Sequence, residues 1–369
     1  RSYNDYGGKD ERYVLTMSDV WGSQRQFGAV LSVSFSETDR KPENVETGWT
    51  RLTRPEGGTV FGVAENLFKD YDTLRTRLSI AGGLEWRPDD ATQVYLRGNV
   101  AKYEDDEFRN LLRILYTDGG TLQPGATDRT ATFANTRLEK QIRHRVQRNE
   151  VQTIEVGGSR DFGEIRADGQ LAWTSSEQTY PRRDELLWRS SLRPTLSYNY
   201  ANPDEPAFSL FTSNEHLNTA AWAFRENTFR TNDTTQEQVQ VRANIEFDHD
   251  LFGTEAQWRF GFSHRENDVV ADEERWRDRS AGAAPAGGLA AFLSGEESRN
   301  YGYFLGYKQD QALADNYLIA RRALRSAATR RVEQSITADY AALEKISGVY
   351  GMTRADFGAT DIVAGLRIE

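Results

Sequence analysis

Gln238-Val239-Gln240-Val241-Arg242-Ala243-Asn244-Ile245-Glu246-Phe247 runs into the polar segment Asp248 to Glu255. Ala256-Gln257-Trp258-Arg259-Phe260-Gly261-Phe262-Ser263 then follows. In the first run Val239, Val241, Ala243, Ile245 and Phe247 fall on one parity. Gln238, Gln240, Arg242, Asn244 and Glu246 fall on the other. Successive side chains of a strand point to opposite faces, so this is a strand with one apolar and one polar face. The second run repeats the pattern, with Ala256, Trp258, Phe260 and Phe262 against Gln257, Arg259, Gly261, Ser263 and Arg265. Two such runs around a turn make a hairpin.

The same unit recurs along the chain. Phe27, Ala29, Leu31, Val33 and Phe35 alternate with Gly28, Ser32, Ser34 and Ser36, Val30 being the exception. Leu78, Ile80, Gly82, Leu84 and Trp86 lead through Pro88-Asp89-Asp90 to Val94, Leu96, Gly98 and Val100. Ile154, Val156 and Gly158 are answered by Ala167, Gly169, Leu171 and Trp173. At the end, Ile346, Gly348, Tyr350 and Met352 read as an apolar face, answered by Ile362, Ala364, Leu366 and Ile368. Ten strands follow, near 13–19, 26–37, 74–87, 92–103, 150–160, 164–178, 236–248, 255–268, 343–354 and 358–369, paired as five hairpins.

Short turns and long connections alternate strictly. The long segments 38–73, 104–149, 179–235 and 269–342 hold 213 residues. Elaboration at one end only is the habit of outer-membrane barrels, with short periplasmic turns and long extracellular loops. Trp21, Trp86, Phe162, Phe252, Trp258 and Phe357 sit near the short turns, as an interfacial girdle would. The expected fold is therefore all-β: an antiparallel transmembrane β-barrel with long extracellular loops and a short helix. A soluble antiparallel protein packing its apolar faces together satisfies the same parity. Bulk composition is blind to the distinction. The net charge of −10 and the mean hydropathy of −0.71 read as a soluble acidic protein. No apolar run approaches the length of a membrane helix. Zero cysteine excludes thiol chemistry and disulfide scaffolds. The acidic balance argues against nucleic acid as a partner.

The final hairpin carries a family resemblance. Glu344-Lys345-Ile346-Ser347-Gly348-Val349-Tyr350-Gly351-Met352 turns through Asp356-Phe357-Gly358 into Val363-Ala364-Gly365-Leu366-Arg367-Ile368-Glu369. It resembles a mid-barrel hairpin of TonB-dependent outer-membrane receptors. Phe27-Gly28-Ala29 through Ser34-Phe35-Ser36-Glu37 resembles the second barrel strand of that family. Gly83-Leu84-Glu85-Trp86-Arg87-Pro88-Asp89-Asp90 resembles the next hairpin, in the sphingomonad, caulobacter and xanthomonad branch. The resemblance implies that residues 1–369 are part of a 22-stranded barrel domain, without its plug and TonB-contacting box. It implies TonB-energised uptake across the outer membrane, with oligosaccharide favoured as ligand and ferric siderophore second. It also implies outer-membrane lipid, lipopolysaccharide and, through the missing plug, the TonB complex as partners. Ten strands match small complete barrels too, including omptin-like surface proteases. Those need paired Asp and a His/Asp couple at the loop end; of His144, His216, His249 and His264, His249 lies in a short turn at the wrong end, and no catalytic motif surrounds His144 or His216.

No nucleophile motif, phosphate loop, dinucleotide fingerprint or metal signature is present, so no catalytic residue, metal or cofactor is expected. The long segments are rich in aromatic rings, among them Trp49, Phe211 and Trp276. Flat faces of that kind suit sugar rings or siderophore arenes. The expected ligand-binding rings are Trp188, Tyr198, Trp222, Tyr301, Tyr303 and Tyr307, with packing of the loops as the plainer role. Arg97, Arg242, Glu246, Arg259 and Arg367 are expected to face a wet lumen. Residues 318–343 read as one Ala-rich helix carrying Arg321, Arg322, Arg325, Arg330 and Arg331.

Overall fold

The computed structural model describes residues 8–209, 215–251, 253–300 and 302–369. Phe211, Phe252 and Tyr301 lie outside them. Eleven strands form one antiparallel sheet: β1 Asp10–Trp21, β2 Phe27–Arg40, β3 Glu43–Thr53, β4 Thr59–Asp89, β5 Thr92–Leu115, β6 Arg137–Asp161, β7 Ile165–Ser190, β8 Trp222–Leu251, β9 Thr254–Asp278, β10 Tyr340–Asp356 and β11 Asp361–Ile368. Each pairs with its sequence neighbour in a meander, except that β2 and β3 share the same edge of β4. Among the described residues no pairing joins β1 to β11, so the sheet is an open path.

All ten expected strands are present, but six, β4 to β9, are far longer than their alternating cores. β4 has 31 residues and β8 has 30. At about 3.3 Å per residue such a strand runs roughly 100 Å, several times a membrane's apolar thickness. The expected long segments are therefore mostly strand. Residues 38–73 hold the end of β2, β3, a tight turn at Arg54 to Gly58 and the start of β4. β2 and β3 are one line of backbone in a single register, since Arg40 faces Thr73 and Glu43 faces Asp70. Only Lys41-Pro42 interrupts it, where proline lacks the N–H a ladder needs. The sequence hides these extensions because both faces are covered there, so polar and apolar residues cease to alternate cleanly.

The register fixes the faces. Val241 stands opposite Leu171, and Val156 opposite Leu96, so the apolar positions of five adjacent strands line up with Leu84 on β4. The ladder also corrects one assignment. Ile346, Gly348, Tyr350 and Met352 do not lie on the apolar face, for they stand opposite Arg265, Ser263, Gly261 and Arg259. β10 carries apolar residues at both parities, and pairing decides: Val349 meets Phe262, while the Tyr350 hydroxyl donates to Asn244 Oδ1 at 2.8 Å. The Tyr350 ring lies across Gly261, where a Cβ would sit 2.1 Å from it.

Above the alternating zone the chain's own loops cover the apolar face. A bulge at Tyr180-Pro181 shifts the parity of β7, bringing Asp184, Leu186 and Trp188 onto the face of Leu171 and Trp173. Phe68, Leu112, Ile142, Leu186, Trp188 and Phe229 there enter a core with Tyr198, Phe208, Phe292 and Leu318 from the loops. Thr121–Leu122, Thr130–Ala134, Leu196–Asn199 and Ala207–Ser209 form a small second sheet in this body. Leu293–Asn300 and Tyr303–Gln309 form a separate hairpin. The single helix expected over 318–343 is two, α1 Gln311–Ala323 and α2 Val332–Ile336. α1 begins on the Asp310 side chain, which accepts from the Leu313 N–H, and ends at Leu324. Ser326 to Thr329 then make a hydrogen-bonded turn instead of another helical turn.

Trp188 is almost wholly buried, and its indole N–H donates to Gln309 Oε1 at 2.8 Å. Trp188→Ala is expected to cost this core about 3–5 kcal/mol. Limited proteolysis would show faster cutting within residues 191–221 and 279–339, while the strand signal in circular dichroism stays.

Candidate functional site

Three surfaces are built by this arrangement. The first is the naked part of the apolar face. Leu15, Leu84, Leu96, Ile154, Leu171, Ile245, Phe260 and Leu366 are all exposed, Leu84 at 54% and Leu366 at 71%. Pairing makes these one continuous band across the ten strands of the meander, whereas monomeric soluble proteins rarely leave large contiguous apolar patches bare. Its turn end carries rings. Trp21 stacks on Phe27, and Trp86 stands opposite Phe27. The Trp258 indole N–H donates to His249 Nε2 at 2.7 Å. Phe162 and Phe357 are exposed at neighbouring turns.

The second surface is the opposite face at the same height. Arg97, Arg242, Glu246, Arg259 and Arg367 all lie on it by register. Arg97 reaches Glu155 at 3.5 Å and lies 4.0 Å from the Tyr95 ring centre. Arg259 lies 3.4 Å from Asp168 and 3.9 Å from Glu246. Arg367 Nε donates to Glu369 at 2.7 Å. Arg242 has no carboxylate within ion-pair distance among the described residues. These side chains are largely exposed, so each pair contributes little and rearranges readily.

The third surface is the loop body. It does not present the expected rings as a row. Trp188, Tyr198 and Trp222 are buried in its core, so their faces are closed to a ligand. Tyr198 Oη accepts from the Val63 N–H at 2.9 Å, and the Trp222 indole donates to the His216 carbonyl at 3.0 Å. Tyr303 is half-buried, edge-on to Phe208, with its hydroxyl accepting from the Phe208 N–H. Tyr307 is exposed beside Phe304. Packing against the other loops is thus what positions most of these rings.

A cleft of about 980 Å³ does open in this body, between β3, the start of β4 and the hairpin 293–309. Tyr200, Phe208, Tyr303, Asp70, Glu43 and Lys308 are among its lining residues. Of the expected rings among the described residues, only Tyr303 reaches it. Asp70 is buried at its base, 3.3 Å from Lys308 Nζ and accepting from Ser298 Oγ at 3.5 Å. Burial pushes the Asp70 carboxyl up to about 6, with Lys308 opposing. Asn300 anchors the same hairpin by donating to the carbonyls of Lys69 and Asn44. Burial also pushes Lys140 down to about 8, its ammonium lying 5.4 Å from the Trp222 ring.

His144 lies between two carboxylates, Nε2 2.8 Å from Asp106 and Nδ1 2.7 Å from Asp315. Phe108 stacks on its ring at 4.1 Å, and the residue is buried. With both nitrogens engaged, the ring ties α1 to β6 and presents no free atom to a substrate. Four of the arginines of 318–343 are engaged likewise, Arg321 with Asp278 among them. Arg322 pairs with Asp184, Arg330 with Glu274, and Arg325 lies over Trp276. Among the described residues no group of three or more His, Asp or Glu is placed to hold a metal ion.

No protein-family model matches the chain, and no curated protein does. A solved structure, the Pseudomonas aeruginosa protein OccK10 (OpdN), is paired with it at 12% identity. That pairing covers 75% of this chain and 95% of the other, at a TM-score of 0.09. A likeness of that size carries no argument.

Asp70 predicts a pH dependence. Its carboxyl holds its proton to about pH 6 in the folded chain but only to about 4 when unfolded. The folded state thus binds more protons in that window, so docking of the hairpin 293–309 is strongest below pH 4 and weakens as pH rises to 6. Asp70→Asn is expected to remove this slope, by on the order of 2 kcal/mol, in amide exchange of β3 and the hairpin.

Proposed function

We propose that this chain forms part of the wall of an outer-membrane β-barrel and serves transport, with no covalent step. One observation carries the reading. A sheet of ten consecutive meander strands leaves an apolar face bare on one side and keeps a polar face on the other. A hydrocarbon surroundings on one side and water on the other is the condition that satisfies both. The rings at the turn end fit the level of lipid headgroups, and the strand extensions with their loop body fit the space outside the membrane.

The finer reading rests on the resemblance of the final hairpin, Glu344 to Glu369. It is that of a TonB-dependent receptor, a 22-stranded barrel taking up a scarce ligand at the expense of inner-membrane energy. Oligosaccharide is the favoured cargo and ferric siderophore the second. On this reading the plug supplies the contact with TonB, and lipopolysaccharide surrounds the barrel.

The chain is expected in the membrane fraction of Gram-negative cells, with gel mobility that changes on heating. Full solubility without detergent would sink the proposal. Ile245→Arg, on the bare face, is expected to cost about 2–4 kcal/mol and deplete the heat-modifiable form. Gln240→Arg, five residues away on the polar face of the same strand, is expected to leave it intact.

A further inference from the structure

Above the level of the bare band, the polar face carries rows of like charge. Arg145 stands directly opposite Arg183, Arg183 opposite Arg230, and Arg230 opposite Arg275. Four guanidinium groups thus cross four adjacent strands, which lie about 4.8 Å apart. In the next row Arg109 stands opposite Arg143. Like charges in direct opposition destabilise a sheet, so packing alone does not account for the arrangement.

The carboxylates in this band are fewer than the arginines. Glu107 serves both Arg143 and Arg145, and Glu273 serves both Arg230 and Arg275. Asp105 is shared between Arg75 and Arg145. Glu185 stands 3.9 Å from Arg183 and also accepts from Gln141 and Thr228. Arg109, more than nine-tenths buried, pairs among the described residues only with the neutral amide of Gln141. Among the described residues, the buried Nε atoms of Arg109, Arg143, Arg145 and Arg230 have no hydrogen-bond partner. Burial and the neighbouring Arg143 push Arg109 below its ordinary value, and burial with Arg143 and Arg230 does the same to Arg183.

We propose that this arginine band binds a small polyanion bearing several phosphate or carboxylate groups. Guanidinium forks spaced by the sheet match such groups bidentately, and partial burial strengthens each contact. The inference rests on the reading of the polar face as the wet interior of a barrel, and it makes the cargo or an accompanying ligand anionic. Nothing in it uses the cleft at Asp70, which lies in the loop body beside β3 and the start of β4.

Calorimetric titration of the full chain in detergent, with inorganic tripolyphosphate and with citrate, tests it. Saturable binding of at least one, weakening as salt rises, is expected. Preference for tripolyphosphate assigns phosphate, and preference for citrate assigns carboxylate. Arg183→Gln with Arg230→Gln is expected to weaken binding about tenfold or more. Arg87→Gln, on the polar face near a turn, is expected to leave it unchanged. Should the double Gln variant fail to fold, Arg183→Lys with Arg230→Lys keeps the charge but loses the fork, and a weaker, still saturable isotherm is expected. A heat-modifiable barrel with no saturable affinity for either anion overturns this inference and leaves the barrel reading standing. Undiminished binding in the double Gln variant overturns it as well. Absence of a heat-modifiable form defeats the barrel reading instead.

Discussion

The structure depends on an unbroken backbone ladder. Ten strands pair in sequence order without a shift of face from β1 to β11, apart from local bulges that the ladder absorbs. Because side chains alternate with a period of two, a slip of one residue would send a strand's whole apolar set to the other side. The chain therefore commits each residue to one of two surroundings, and the two are kept apart along its whole length. The bare apolar band and the polar face opposite it are both consequences of this one restraint.

What covers each face changes with height. Near the short turns neither face is covered by the described chain, and the apolar residues there stay exposed. Higher up, the loops fold back onto the apolar face and close it with Phe68, Ile142, Trp188 and Phe229. That explains why the strands outrun the alternating zone. A strand extended into water on both sides would leave its apolar residues unpaid for, whereas one backed by a packed core is stabilised by every ring it buries. His144, held between Asp106 and Asp315, and Arg322 on Asp184 fasten α1 to the same face.

The alternating zone was legible in the sequence because its two surroundings differ so sharply. Val239 to Phe247 reads correctly from parity alone, and so do Leu78 to Trp86 and Ile154 to Val156. β10 misleads because Ile346, Tyr350 and Met352 occupy one parity and Val349 the other, so only pairing with β9 chooses the face. The strand extensions were hidden for a different reason. Leu138, Lys140, Ile142, His144 and Val146 alternate with Glu139, Gln141, Arg143 and Arg145, but polar groups on the first parity blur the signal. Likewise nothing local distinguishes an aromatic ring that lines a mouth from one that fills a core. Trp188, Tyr198 and Trp222 fill a core, and long-range partners such as Gln309 and Val63 are what decide it.

The chain as a whole is acidic, yet its polar face concentrates arginine above the bare band. Height separates two kinds of electrostatics. Arg97, Arg259 and Arg367 lower down are solvated and each has a nearby carboxylate, so their charge is balanced locally. Arg143, Arg145, Arg183 and Arg230 are held at sheet spacing, with carboxylates shared between neighbours. Free side chains in water would spread to relieve such repulsion. Here they cannot, because the loop body clamps the same strands from the opposite face and fixes the spacing of the backbone beneath them. The aromatic core on one side and the cationic rows on the other are thus two faces of one stiffened segment of sheet.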